Sequence, residues 1–270
     1  MHIASKDNPK IKLYSKLLSS KKARAEHGLF VLEGARLCSE ALTKWKEGKL
    51  KLHSVFATKN ALVKYPDYID NALFDQNPEL FYTVDDKVAD KLGETKESQG
   101  VYVIAYMSNN NFDRTCIKSN GKYLVMNNLQ DPGNVGTILR TCDAVGIDGV
   151  VMTNNCCDLY NPKVLRAAMG SVFRLNVYTC DDFSSVCKLF ESRDIKTMAA
   201  VVDKDAQAVE SVDYTQGGAI VIGNEGKGLK ADDVSLCDMK ITIKMQGNIE
   251  SLNAAMAAGI ILWEMNREQL

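Results

Sequence analysis

The chain has 270 residues, with 33 Lys and Arg against 34 Asp and Glu and a formal net charge of −1. With 46% hydrophobic and 25% charged residues, it reads as an ordinary globular protein with one large or two small domains, each able to bury a core. Overall charge gives no footing for nucleic-acid binding, so any such role rests on how the charges are distributed. No leader resembling a signal peptide is apparent, and the longest apolar stretch, Ala254 to Trp263, is too short to span a bilayer. A cytoplasmic protein with no membrane association is expected.

The eight cysteines, Cys38, Cys116, Cys142, Cys156, Cys157, Cys180, Cys187 and Cys237, contain no CxxC pair. The three histidines, His2, His27 and His53, all lie in the first quarter of the chain. Zinc sites show paired ligands at short spacing. The expectation is therefore no metal, and free thiols in a reducing compartment.

From Met1 to Arg24 the chain carries Lys6, Lys10, Lys12, Lys16, Lys21, Lys22 and Arg24 against one acid, Asp7. Such a run is either a phosphate-binding patch or a solvated helix face. Asn8-Pro9 opens a helical pattern in which Ile11, Tyr14, Leu17 and Leu18 recur at spacings of three and four, with the lysines largely on the other face. Leu29 to Leu32 reads as a strand before Glu33-Gly34, and Arg36 to Trp45 as a helix. Val55 to Ala57, Tyr82 to Val84 and Val101 to Tyr106 are further strands, so a small α/β domain is expected. The asparagine-rich stretch 107–114 breaks the rhythm and reads as a turn or linker. The expected division is a domain over 1–106, a linker over 107–117 and a second domain over 118–270.

In the second domain, Tyr123 to Met126 is an apolar strand and Val135 to Val145 a helix that Asn134 could cap. Gly149 to Met152 is a strand, Pro162 to Met169 a helix, Phe173 to Tyr178 a strand and Phe183 to Phe190 a helix. Thr197 to Val202, Ala219 to Ile222 and Ile241 to Ile243 are strands, and Glu250 to Met265 is the closing helix. Apolar strands with helical crossovers imply a mostly parallel sheet covered on both faces, with ligands at the carboxyl ends of its strands.

Three loops at those ends carry unusual residues. The first, Asn127 to Gly136, opens a helix that also bears Arg140. The second is Gly223-Asn224-Glu225-Gly226-Lys227-Gly228. It is neither a P-loop, because Leu229 follows where Lys-Ser/Thr is needed, nor a GxGxxG fingerprint. Its glycines allow close backbone approach, and its acid suits a neutral or cationic ligand better than a pyrophosphate. The third runs from Ile243 to Ala255; helix capping accounts for one of Ser251 and Asn253 but not for both.

These three loops, in this order, resemble the three motifs of the SpoU (TrmH-type) RNA methyltransferases. The similarity lies in Asn134-Val135-Gly136 with Arg140, Ile222 to Gly226 with Gly228-Leu229, and Glu250-Ser251-Leu252-Asn253, and covers about residues 120–270. Lys6 to Lys10 and Phe30 to Gly34 are similar to the N-terminal substrate-binding domain of many members, which has a ribosomal L30e-like α/β fold. The resemblance implies a SPOUT-class α/β domain with a mostly parallel sheet and a C-terminal trefoil knot. It implies a homodimer through that domain and S-adenosylmethionine held by Gly223, Ile243, Met245 and Leu252. It implies transfer of the methyl group to a ribose 2'-hydroxyl, with ribosomal RNA the expected target. Arg140 is then the essential residue, as phosphate clamp or as assisted base, with Asn134, Glu225, Ser251 and Asn253 around it. Lys6, Lys10, Lys12, Arg24 and Arg36 are the expected RNA contacts. One departure is Lys244, where members often have Pro before the methionine. The same chemistry on transfer RNA, a non-catalytic RNA- or ribosome-binding protein, and a Rossmann nucleotide enzyme are the competing readings. The last is disfavoured by the absent GxGxxG.

Overall fold

A computed structural model describes residues 1–95 and 98–267. Its contacts divide the chain into two compact units: Met1–Asn109 with Asp158–Phe173, and Asn110–Cys157 with Arg174–Leu270.

The first unit is built from β1 (His2–Ile3), α1 (Pro9–Ser19), α2 (Lys21–His27), β2 (Leu29–Glu33), α3 (Ala35–Lys46), β3 (Leu52–Thr58), α4 (Lys59–Lys64), α5 (Ala72–Gln76), β4 (Phe81–Val84), α6 (Asp86–Leu92) and β5 (Val101–Tyr106). Its sheet runs β1-β4-β3-β5-β2, with β5 antiparallel to both its neighbours and the other pairs parallel. The Asn8 side chain caps α1 by accepting from Lys10 N at 2.9 Å, and Pro9 occupies the first turn. Ile11, Tyr14 and Leu17 are buried on one face of the sheet with Phe56, Tyr82, Tyr102 and Ile104. The other face packs Phe30, Leu32, Leu37, Cys38 and Ala41 together.

The second unit contains β6 (Lys122–Met126), α7 (Pro132–Val145) and β7 (Gly149–Thr153). After α8 (Pro162–Ala168), which belongs to the first unit, come β8 (Val177–Cys180), α9 (Phe183–Glu191), β9 (Thr197–Ala200), β10 (Gln207–Ala208), β11 (Gly218–Ile222), α10 (Ala231–Ser235), β12 (Met239–Thr242) and α11 (Ala254–Asn266). Its seven strands run β10-β12-β9-β11-β6-β7-β8, and every pairing is parallel. Strands buried on both faces need the near-continuous apolar runs seen in β6, β7 and β11. Tyr123, Val125, Val151, Phe190, Ala219 and Val221 share one core cluster. The stretch 107–114 holds more structure than a linker, since Phe112 is buried in that cluster and its N–H donates to Thr179 O at 3.0 Å.

The segment Asp158–Phe173 behaves differently from its neighbours in sequence. Leu165 is fully buried in the core of the first unit, and the rings of Tyr160 and Phe173 lie 4.6 and 6.5 Å from that of Phe30. Arg24 is 3% exposed. Its Nε and Nη2 donate to Asp158 Oδ2 at 2.9 and 2.7 Å, and its Nη1 donates to Leu17 O at 2.6 Å. The expectation that Arg24 contacts RNA is therefore corrected: its guanidinium is spent inside the unit, joining α2 to the returning segment. The expected strand from Phe173 also shortens. Ser171–Phe173 is a 3₁₀ turn that ends on Phe30, and the strand begins only at Val177.

Two helix starts differ from expectation for the same physical reason, the identity of the cap. Asp131, not Asn134, caps α7 by accepting from Asn134 N at 2.8 Å, so the helix starts at Pro132. Asn253 caps α11 by accepting from Ala255 N and Met256 N at 2.9 and 3.2 Å, so the closing helix starts at Ala254 rather than Glu250. All eight cysteines are free thiols. Among the described residues no helix is long and apolar enough to cross a membrane.

Candidate active site

The carboxyl ends of β12, β9 and β11 are neighbours in the sheet, and a cavity of about 480 Å³ opens there. It is lined by residues that follow each strand, such as Val201, Gly223 and Ile243, and by Ala254, Ala257 and Ile261 of α11. All four expected cofactor residues, Gly223, Ile243, Met245 and Leu252, lie on this wall. So do Glu225 and Ser251. The volume and mixed lining suit an organic ligand with an apolar body and a few polar groups.

The loop after β11 is shaped by its glycines. Asn224 and Gly228 exchange backbone hydrogen bonds of 3.1 and 2.8 Å, with Gly228 at φ +65°. A Cβ on Gly223 would sit 2.5 Å from Gly228 C and Leu229 N. Only glycine allows this tight return.

Beside the cavity a polar network joins all three loops. Glu225 accepts from Gln130 N at 3.1 Å, from Asp131 N at 2.9 Å and from Asn134 Nδ2 at 3.4 Å. Asn134 Oδ1 in turn accepts from Asn253 Nδ2 at 3.0 Å. Asn253 thus both caps α11 and reaches the first loop, two tasks for one side chain. Three of the five expected catalytic residues, Asn134, Glu225 and Asn253, are brought into direct contact. Ser251 lines the cavity, and Arg140 does neither. Arg140 is exposed on α7 and makes no hydrogen bond or ion pair among the described residues. It stands six positions after Asn134 on the helix, about 9 Å along the axis.

Sequence reasoning missed the residues that hold the loops in register. Asn224 Nδ2 donates to Asn128 O at 3.0 Å, while its Oδ1 accepts from Gly226 N and Lys227 N, both at 3.1 Å. Asn128 stands at φ +63°, a conformation asparagine tolerates better than most residues. Asn127, 7% exposed, donates to Asp233 Oδ2 at 3.0 Å and accepts from Thr153 Oγ1 at 3.1 Å. The signal available was three Asn residues at strand ends, where side-chain amides can replace missing backbone partners. Lys244, where relatives of the expected family often have Pro, reaches toward Glu210 at 3.9 Å.

Partial burial pushes the Glu225 carboxyl up in pKa. The backbone N–H groups of Asp131, Glu225 itself and Gln130, with the Asn134 amide, outweigh burial and hold it below the usual carboxylate value. A depressed folded-state pKa adds stability that is present above the unfolded value of about 4.3 and is lost as pH falls through the folded value. Glu225→Gln should therefore flatten the acid arm of the stability curve, read by denaturant melts from pH 3 to 7. An unchanged arm contradicts the assignment.

In the first unit, Lys6, Lys12 and Arg36 are exposed and Lys10 is half-buried. Lys12 pairs with Asp7 at 2.9 Å, and Lys10 Nζ lies 5.1 Å from the Tyr82 ring centroid. These four stay on the surface, unlike Arg24.

The chain is similar to known proteins along its length. Residues 121–263 match the model of the SpoU rRNA Methylase family, and residues 8–103 match an MRM3-like substrate binding domain. An uncharacterized tRNA/rRNA methyltransferase of Synechocystis sp. is 33% identical over 99% of this chain and 94% of its own length. The 23S rRNA (guanosine(2553)-2'-O)-methyltransferase RlmP of Bacillus subtilis is 30% identical over 97% of this chain and 98% of its own. The AdoMet-bound rRNA methyltransferase from Sinorhizobium meliloti superposes with a TM-score of 0.84 at 25% identity, covering 100% of this chain and 98% of that one. With the cavity, the three joined loops and these matches taken together, the chain belongs to the SpoU rRNA methylase family.

Proposed function

We propose that this protein transfers a methyl group from S-adenosylmethionine to a ribose 2'-hydroxyl of ribosomal RNA. The observation that carries the reading is the placement of Gly223, Ile243, Met245 and Leu252 on one cavity, beside the network of Asn134, Glu225 and Asn253. The ribosomal target rests on relatives named for 23S rRNA 2'-O-methylation in Bacillus subtilis and Streptomyces viridochromogenes.

The cavity fits such a donor. Ile222, Ile243, Leu252 and Ile261 offer apolar walls, and the Gly223–Gly228 turn brings backbone close without side chains. When bound there, the donor supplies an electrophilic methyl group on a sulfonium. The protein's share of the work is positioning. Arg140 offers a guanidinium fork, and its exposure and lack of a partner among the described residues support a clamp on the RNA phosphate next to the reacting ribose. Asn134 is held by Glu225 and Asn253 at the start of the same helix, so the three orient the ribose side of the site. Ser251 offers a hydroxyl at the cavity wall. We also propose that the segment after β11 forms the trefoil knot of the SPOUT class. Action in the cytoplasm is supported by eight free thiols, which suit a reducing compartment.

A homodimer is part of this reading. Met256, Ile260 and Trp263 recur at i, i+4 and i+7 on α11 and are 61%, 38% and 55% exposed, an apolar stripe that favours burial. Trp263→Glu should convert a dimer to monomers in sedimentation velocity. A wild-type monomer at micromolar concentration removes the dimer from the proposal.

The direct test is incubation of the protein with tritiated S-adenosylmethionine and, in separate reactions, ribosomal RNA and transfer RNA from cells lacking the gene, followed by 2'-O-methyl mapping. Label in transfer RNA alone overturns the ribosomal target, and no label in either RNA overturns the enzymatic reading. Gly223→Ala should lower donor affinity by about 5- to 150-fold by calorimetry, because the added methyl forces the turn open at a cost of about 1–3 kcal/mol. Unchanged affinity would show that the turn does not line the donor site.

A further inference from the structure

Away from the loops described above, the first unit carries a basic and aromatic surface of which the sequence pointed only to Lys10. Between Lys44 and His53 stand Lys44, Lys46, Lys49 and Lys51 against one acid, Glu47. Lys44 and Lys49 are paired with Glu47 at 3.0 and 2.9 Å, and Lys46 approaches Asp70 at 3.8 Å. Lys51 has no carboxylate partner among the described residues; its Nζ lies 4.6 Å from the centroid of the half-buried Tyr106 ring. Lys10, also without a carboxylate partner there, sits over Tyr82 on the same side of the sheet.

A β-bulge completes the arrangement. Leu52 pairs with Ala105 and Ser54 with Ile104, so His53 is the extra residue in β3. Bulges re-aim side chains, and here Leu52 joins one core cluster while His53 stacks toward Tyr106, ring centroids 6.1 Å apart. The Ser54 hydroxyl donates its hydrogen to His53 O at 2.7 Å and so must accept from His53 Nδ1 at 2.9 Å. That leaves Nε2 as an acceptor with no partner among the described residues. Burial, and then the Lys10 ammonium, hold the His53 pKa below its ordinary value, which keeps the ring neutral and Nε2 accepting.

We infer that Lys10, Lys51, His53 and Tyr106 form a contact surface for single-stranded RNA. A base stacks on Tyr106, the flanking phosphates meet Lys10 and Lys51, and a ribose 2'-hydroxyl donates to His53 Nε2. Aromatic platforms edged with lysines bind single strands in this way, and the 2'-hydroxyl separates RNA from DNA. Lys51 now covers part of the ring, but an exposed cation–π contact is weaker than base stacking, so the lysine yields the ring and keeps the phosphate. The inference rests on RNA being the substrate and names where that RNA is gripped.

The test is fluorescence anisotropy with the full chain and a fluorescein-labelled RNA dodecamer of mixed sequence, with its deoxy counterpart alongside. Lys51→Ala should weaken RNA binding about 3- to 10-fold and reduce the slope of log affinity against log salt by about 0.7. Tyr106→Leu, which keeps apolar bulk without a π face, should weaken it about 5- to 100-fold, while Tyr106→Phe binds as wild type. His53→Ala should narrow the preference for RNA over DNA. Wild-type affinity in both Lys51→Ala and Tyr106→Leu, or no binding of the dodecamer by the wild type, overturns the surface; equal wild-type affinity for RNA and DNA overturns the role of His53. Methyl transfer by the wild type is read separately. Loss of affinity in the variants with no transfer by the wild type would uphold the surface and reject the enzymatic reading.

Discussion

Arg140→Ala is expected to reduce methyl transfer by about 10²–10³-fold while S-adenosylmethionine affinity stays within about twofold. The size is that of losing an oriented charge at the reacting centre, the role proposed above for Arg140. The selectivity follows from geometry. Arg140 is exposed on α7 and is not among the residues lining the cavity, so its removal leaves the donor's walls untouched. Arg140→Lys should recover little, because a point charge does not reproduce the two-pronged grip of a guanidinium on phosphate. Single-turnover transfer and calorimetry, run on the same preparations, check both halves. Near-normal turnover by the alanine variant would remove Arg140 from the mechanism. Equal loss of turnover and donor affinity would mean that it shapes the cavity instead.

Asp158→Ala should cost about 3–5 kcal/mol of stability, because it removes one partner of a largely buried ion pair. It would leave the Arg24 guanidinium buried, with Leu17 O as a partner but no counter-charge. The melting temperature should fall by on the order of 10 °C. Replacing both residues together should cost less than the sum of the single changes, since the penalty lies in the unpaired charge. If the single and double variants melt with the wild type, the pair is not holding the segment. A fragment lacking residues 1–109 would leave Tyr160, Leu165 and Phe173 without their core, so point substitutions on the first unit are cleaner probes of RNA binding.

The sequence alone was informative wherever function depends on local chemistry. The apolar strands, the helical spacing of Ile11, Tyr14 and Leu17, and the glycine-rich turn after β11 were all legible because their causes lie within a few residues. Gly223, Ile243, Met245 and Leu252 are expected as cofactor contacts only through their resemblance to family motifs, and the fold brings all four to one cavity. Tertiary structure decided what depends on distant partners. Arg24 looked like one more surface cation in a basic run, but Asp158, 134 residues away in sequence, makes it internal. Asn134 looked like a cap, but Asp131 takes that role and frees Asn134 to join Glu225 and Asn253. The residues 158–173 read as an ordinary crossover, yet their apolar side chains are buried in the first unit. Composition bounds the fold and motif spacing finds the loops. Which polar group a side chain meets is settled only when the sheet brings chain ends together, because a buried charge or amide must find its partner wherever the fold supplies one.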